Sequence, residues 1–125
     1  MTENELAKII VNACSQIHTE LRPELLESVY EECLYFELIQ QWLMVERQKE
    51  LPVIYKSIKM EIGFRSDLIV EQKVIVEIKS QEWIAPVHQK QVQNYLRLTG
   101  IKLGLLINFN QALIKDGIQR IVNKL

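Results

Sequence analysis

A carboxylate and an ammonium group lie two residues apart in the segment VIVEIKS, residues 74–80. Side chains alternate faces along an extended strand, so Glu77 and Lys79 share one face. Val74, Val76 and Ile78 point to the other face of the strand, which is predicted to face the core. An acid beside a base on one strand face is suited to holding a cation next to a nucleophilic water. The chemistry that this spacing predicts is metal-assisted hydrolysis.

The preceding apolar segment supplies a second carboxylate, Asp67. If residues 71–73 join two antiparallel strands, residue 67 pairs with residue 77, and the Cβ atoms of Asp67 and Glu77 lie ~5 Å apart. Like charges in that position are destabilising, and a hard divalent cation with oxygen ligands neutralises them best. We therefore expect Mg2+, with Mn2+ as a substitute. The alternative is a solvated sheet face on which Lys79 alone is the counter-ion.

The elements that must position these groups follow from hydrophobic periodicity. Apolar residues recur at three- and four-residue steps from Leu6 to Leu21, which predicts a first helix. Pro23 suits the first turn of a second helix, whose apolar face continues to about residue 43. Gly63 suggests a bulge or a close backbone approach. Antiparallel strands are predicted at 52–56, 59–70 and 74–79, a helix at 86–99, a buried strand at 102–109 and a final edge strand at 117–122. This is an α/β fold of order α-α-β-β-β-α-β(-β), with a mixed central sheet of four or five strands flanked by helices.

Length and composition limit the function classes. The 125 residues fit a single domain spanning 1–125, and the formal net charge of −1 argues against an isolated monomer that coats nucleic acid by charge alone. No apolar run approaches the ~20 residues of a membrane helix. The acidic, helix-periodic N-terminus is wrong for a secretory signal, which predicts a cytoplasmic protein without membrane partners.

Several segments together resemble one known group of proteins. Asp67 with Glu77-Ile78-Lys79 is similar to the D…ExK core of the PD-(D/E)XK nucleases. RPELLESVYEE resembles the helix that names the GxxExxY family, with Glu27 and Tyr30 at the matching E and Y. The segments LPVIYK, VHQKQVQNYL and GLLINF also match that family's pattern, so the resemblance runs from about residue 5 to 122. The family's glycine is replaced here by Glu24, and the glycine often found two positions earlier is replaced by Arg22.

The resemblance implies a restriction-endonuclease-like core and a metal-dependent phosphodiesterase acting on nucleic acid, with DNA favoured. Asp67 and Glu77 would be metal ligands, and Glu27 would complete the acidic cluster, directly or through water. Lys79 would orient the attacking water and stabilise charge on the phosphate; its unperturbed pKa of ~10.4 makes it a poor base. Gln91 and Tyr95 resemble the QxxxY motif that supports the site in exonuclease-like branches of the superfamily.

Three further side chains have both a functional and a structural interpretation. His88 lies one turn before Gln91 and could approach a phosphate, or simply occupy a helix start. Tyr30 lies one turn after Glu27 and could hydrogen-bond it, or pack with its hydroxyl satisfied elsewhere. Trp83 could stack on a base or anchor a loop.

The sequence is also compatible with functions other than a nuclease. A non-catalytic nucleic-acid or protein binding module on the same fold competes with the nuclease, and a structural protein that dimerises through an edge strand is a third reading. A two-fold homodimer is compatible with all three.

Overall fold

The computed structural model describes the backbone of residues 1–125 and the side chains of all of them except residues 61 and 62. Its central feature is a five-stranded sheet in the spatial order β1-β2-β3-β4-β5, in which only the β3–β4 pair is parallel. This confirms the mixed α/β class. The elements are α1 Glu3–Leu21, α2 Glu27–Ile39, β1 Val45–Tyr55, β2 Ile58–Val70, β3 Val74–Lys79, α3 Pro86–Thr99, β4 Leu103–Asn108, a short 3-10 helix Ile114–Gly117 and β5 Ile118–Val122.

Helix α1 ends at Leu21 as predicted, whereas α2 begins later than predicted, at Glu27, and ends at Ile39 rather than at about residue 43. Helix α1 opens with a reciprocal capping box in which Thr2 and Glu5 satisfy each other's backbone N–H groups. Pro23 was predicted to lie in the first turn of the second helix, and this is wrong. Arg22 and Glu24 both have positive φ, at 64° and 78°, so the chain cannot continue as a helix there.

Both faces of the sheet are buried at β3 and β4, which corrects the prediction that only one face of β3 points to the core. Helices α1 and α2 cover one face, where Val74 and Val76 join the larger apolar cluster. Helix α3 covers the other face, where Val92 and Tyr95 pack with Ile75. Ile75 was predicted to point away from the core, yet it is completely buried. Glu77 and Asp67 therefore lie on a covered sheet face, because they share the parity of this second cluster.

Strand boundaries agree with the prediction except at β1. Residues 59–70, 102–109 and 117–122 were predicted within one residue of their observed ends, and β3 and α3 match at both ends. Strand β1 was predicted at 52–56 but begins at Val45, because its first half is polar and lacks the apolar alternation of a half-buried strand. The predicted close approach at Gly63 is observed: a Cβ there would lie 2.6 Å from the Leu51 carbonyl oxygen, opposite a register shift between Pro52 and Ile54.

Candidate metal centre at the edge of β3

The β2–β3 hairpin brings the two predicted carboxylates together. Its register pairs Leu68 with Val76 and Val70 with Val74. Continued by one residue, this register places Asp67 opposite Glu77. The Asp67 N–H donates to Glu77 Oε1 at 3.2 Å, and the Ile78 N–H donates to Asp67 Oδ2 at 2.8 Å. Each carboxylate is thus held by a backbone amide of the other strand, and the two groups are fixed beside each other.

Burial makes this pair electrostatically costly. Glu77 is only 7% exposed, and desolvation, followed by the charge of Asp67, raises its pKa to about 9. Tyr95 on α3 responds to the same charges: burial first, then Glu77 and Asp67, raise its pKa to about 12. Tyr95 packs in the same apolar cluster as Ile75, so it lies on the sheet face that α3 covers.

Lys79 ends β3 beside this pair. Its side chain is half-buried, and its carbonyl accepts the Phe109 N–H at 2.9 Å. The turn that follows is held by Asn108, a completely buried residue whose amide accepts the Gln81 N–H and donates to the Gln81 carbonyl. Among the described side chains, no carboxylate lies within ion-pair distance of the Lys79 ammonium. The Lys79 ammonium therefore makes no direct ion pair with a described carboxylate, although its charge acts on Glu77 and lowers the pKa of that carboxyl.

Glu27 approaches from the first turn of α2. Its Oε2 accepts the Ser80 N–H at 3.2 Å, and the Ser80 hydroxyl donates to the Leu25 carbonyl at 2.6 Å. Glu27 and Asp67 line one cavity of about 380 Å³ together with Ser28, Glu31 and Gln48. Within the part of the chain whose side chains are described, no three His, Cys, Asp or Glu residues form a ready ligand set. Glu27 thus borders the site, with its carboxylate turned to the backbone that follows Lys79.

Tyr30 supports the loop that leads into α2. Its hydroxyl donates to the Arg22 carbonyl and accepts the Leu25 N–H, while its ring stacks on Phe109 at 4.3 Å between centroids. Of the two interpretations of Tyr30, a hydrogen bond to Glu27 is therefore wrong, and a hydroxyl satisfied elsewhere is correct. The tyrosine acts on the site indirectly, because it fixes the loop that precedes Glu27.

Sequence reasoning missed a polar network on the β1 side of Asp67. The β1–β2 register places Gln48 opposite residue 67, so Asp67 lies between Gln48 and Glu77 across three strands. Gln48 Nε2 donates to Asp67 Oδ1 at 3.3 Å and to Glu31 Oε1 at 2.6 Å, and Arg47 pairs with Glu31 at 3.1 Å. The available signal was the i,i+4 spacing of Glu27 and Glu31, which predicts one shared helix face.

The remaining predicted residues lie on or near α3. Gln91 is exposed, one turn before the buried Tyr95, and no hydrogen bond joins its side chain to the described site residues. His88 is half-buried, and its Nδ1 is buried without a hydrogen-bond partner among the described groups. Trp83 is 72% exposed in the loop between β3 and α3. The structure thus brings Tyr95 to the carboxylates and leaves Gln91 facing solvent.

The donor set fits a hard divalent cation. Asp67 and Glu77 offer carboxylate oxygens, which Mg2+ and Mn2+ prefer. Burial first, and then the charge of Asp67, raise the pKa of Glu77, and a cation between the two carboxylates would offset both effects.

Comparison with known proteins agrees with this arrangement. Residues 4–121 match the PD-(D/E)XK nuclease superfamily. No curated protein and no solved structure shows significant similarity to the chain. Over the described residues, none of the helices combines the length and apolar composition that a bilayer crossing requires. Nucleases of this superfamily generally depend on divalent metals. The match covers nearly the whole chain and includes Asp67, Glu77 and Lys79, so the protein belongs to the PD-(D/E)XK nuclease superfamily.

Proposed function

We propose that this chain is a cytoplasmic, single-domain, Mg2+-dependent phosphodiesterase of the GxxExxY type that hydrolyses nucleic acid, with DNA the favoured substrate. The observation that carries the proposal is the convergence of Asp67 and Glu77, each held by a backbone amide of the other's strand. A buried Glu77 kept beside the half-buried Asp67 at an energetic cost is explained by a cation that both of them bind.

Each residue has a distinct part in this proposal. Asp67 and Glu77 hold the cation, which when bound polarises the phosphate and lowers the pKa of a coordinated water. Lys79, free of a carboxylate partner among the described side chains, presents its ammonium to the charge that develops on phosphorus. Glu27 orients the backbone after Lys79 through the Ser80 N–H. Tyr95 limits water access from the α3 side, because its ring is buried against Phe64.

The metal site is tested first by thermal unfolding in rising Mg2+ or Mn2+. A ligand that binds only the native state raises the midpoint by mass action. We expect this rise in the wild type and its loss in Asp67→Asn. Asp116→Asn is the matched control, because Asp116 lies in the 3-10 helix and is exposed. An unchanged wild-type midpoint at saturating metal contradicts the proposal.

Catalysis is tested with Lys79→Ala on single-stranded, duplex and branched DNA. We expect loss of cleavage with the metal-dependent midpoint shift retained, because Lys79 acts on the phosphate and not on the cation. Lys102→Ala is the control, since Lys102 precedes β4 at the end of the sheet opposite Lys79. Cleavage by Lys79→Ala at the wild-type rate refutes the role of the ammonium.

A binding module without catalysis is the second candidate. The net charge of −1 favours it, since it weakens the attraction of the chain for a polyanionic substrate. Binding of DNA without cleavage at any metal concentration would select this candidate.

A further inference from the structure

Strands β1 and β2 extend beyond the rest of the sheet as a two-stranded ribbon. Strand β2 has 13 residues, yet its pairing with β3 covers only Leu68–Val70. The last packing that supports the ribbon from below is the buried Leu51 and the contact of Phe64 with Tyr95. Beyond these contacts lie residues 52–60, which we call the hairpin arm.

The hairpin arm is an ordered ribbon. Beyond the register shift between Pro52 and Ile54, Ile54 pairs with Lys59 and Tyr55 pairs with Ile58, so the strands are paired again up to the turn. The two turn residues, Lys56 and Ser57, have φ values of 50° and 69°. Positive φ at both central residues is the type I′ pattern, whose twist matches that of paired strands.

The side chains of the hairpin arm are apolar and basic, and almost all of them are exposed. Ile54, Tyr55 and Ile58 are 66%, 59% and 62% exposed, and Lys56 Nζ lies 5.4 Å from the centroid of the Tyr55 ring. The arm has two lysines and no acid, whereas the remaining residues carry 13 basic and 16 acidic side chains, from totals of 15 and 16. Positive charge is therefore segregated onto the ribbon.

We propose that the hairpin arm grips duplex DNA within one helical turn of the metal centre. The proposal rests on the proposed function for the identity of the partner. The arm continues the strand that carries Asp67, and Ile58 lies nine positions before Asp67. Because β2 holds two extra residues at the register shift, β1 spans the same distance in seven positions, from Gln48 to Tyr55. At a rise of ~3.3 Å per residue the tip lies ~23–30 Å along the ribbon, within the ~34 Å of one turn of B-DNA.

Shape and charge both favour a duplex as the partner. A two-stranded ribbon fits the major groove of B-DNA. Lys56 and Lys59 supply ammonium groups for phosphates, while Tyr55 and the isoleucines offer apolar surface to sugars and thymine methyl groups. The net negative remainder of the chain repels the polyanion, so the ribbon is the part that a duplex contacts most favourably.

The test measures binding of a labelled mixed-sequence duplex about three helical turns long as salt is raised. All proteins carry Lys79→Ala and are assayed in Mg2+, so that bound DNA is not cleaved. Each phosphate contact contributes ~0.9 to the slope of log K against log salt. Lys56→Gln with Lys59→Gln should bind more weakly and with a slope shallower by about 1.8. Tyr55→Ala should weaken binding at an unchanged slope.

The control is Lys8→Gln with Lys115→Gln, two exposed lysines in α1 and the 3-10 helix. This pair removes the same charge and should leave the slope unchanged. Equal losses in both pairs, or a Lys56/Lys59 variant that binds as its parent does, overturn the proposal. So does a change of oligomeric state in the arm variant by sedimentation, because the arm would then contact a second copy.

The experiments distinguish failure of the hairpin-arm proposal from failure of the proposed nuclease function. Binding whose slope depends on Lys56 and Lys59, in a wild type that never cleaves, supports the arm and refutes the nuclease. Cleavage by the wild type with no contribution from the arm lysines does the reverse. Absence of any duplex binding overturns the arm, whatever the metal titration shows.

Discussion

Replacing Glu77 with glutamine should stabilise the metal-free protein at alkaline pH while removing its metal site. The neutral amide keeps an oxygen that can accept the Asp67 N–H, now at 3.2 Å, but it cannot ionise. The pKa of Glu77 is raised from 4.5 to about 9, mainly by desolvation. The native state therefore retains a proton that the unfolded state loses above pH 4.5.

The sign and size of the effect follow from proton linkage. Because the folded pKa is the higher one, the stability that Glu77 contributes is fully present below pH 4.5 and is lost as pH rises towards 9. The slope in that window is at most about 1.4 kcal/mol per pH unit. Between pH 5 and pH 8 the wild type should lose up to about 4 kcal/mol relative to Glu77→Gln.

The assay is urea unfolding of both proteins at several pH values in a chelator, followed by the same series in Mg2+. Without metal the difference in free energy of unfolding should widen steadily in favour of Glu77→Gln as pH rises. Bound metal requires the ionised carboxylate, so Mg2+ should stabilise only the wild type, and more strongly as pH approaches 9. Parallel pH profiles, or a variant that is less stable than the wild type at pH 8 without metal, would refute the reasoning.

The other predictions concern the loop and network around the site. Arg22→Gly should raise the free energy of unfolding by about 1–2 kcal/mol, because φ 64° and ψ 173° lie in a region that only glycine adopts easily, whereas Glu82→Gly in an exposed loop should not. Tyr30→Phe should cost about 1–3 kcal/mol in urea unfolding, since two backbone groups lose their partner. Gln48→Leu should weaken Mg2+ binding about tenfold in titration calorimetry, because the amide that positions Asp67 is lost. A Gln48 variant with wild-type affinity would show that Asp67 needs no such support.

The sequence predicted the hairpin that joins Asp67 to Glu77 because the information is local. The residues between the strands form a turn in which Glu71 and Gln72 have positive φ and the Lys73 N–H donates to the Val70 carbonyl. An odd connection of three residues fixes the register, and the register fixes which side chains meet. The strand that carries Lys79 was predicted for the same reason.

The network around Gln48 could not be predicted, because it depends on contacts between distant segments. The start of β1 is polar, so it gives no period-two signal, and without β1 there is no reason to place Gln48 opposite Asp67. Glu31 belongs to α2, and its burial depends on how that helix crosses β1. The hydrophobic periodicity of one segment carries no information about how a helix crosses a strand from another part of the chain.

The loop before α2 links residues 22, 27 and 30 through one set of backbone and side-chain contacts. Positive φ at Arg22 and Glu24 is the conformation for which glycine is best suited, and the chain keeps it here with side chains that oppose it. The Tyr30 hydroxyl donates to the Arg22 carbonyl and accepts the Leu25 N–H. The loop between them places Glu27 where its carboxylate accepts the Ser80 N–H. Glu27 and Tyr30 thus tie the start of α2 to the end of β3. The chain holds this geometry against the unfavourable backbone conformation of Arg22, which Arg22→Gly is expected to relieve.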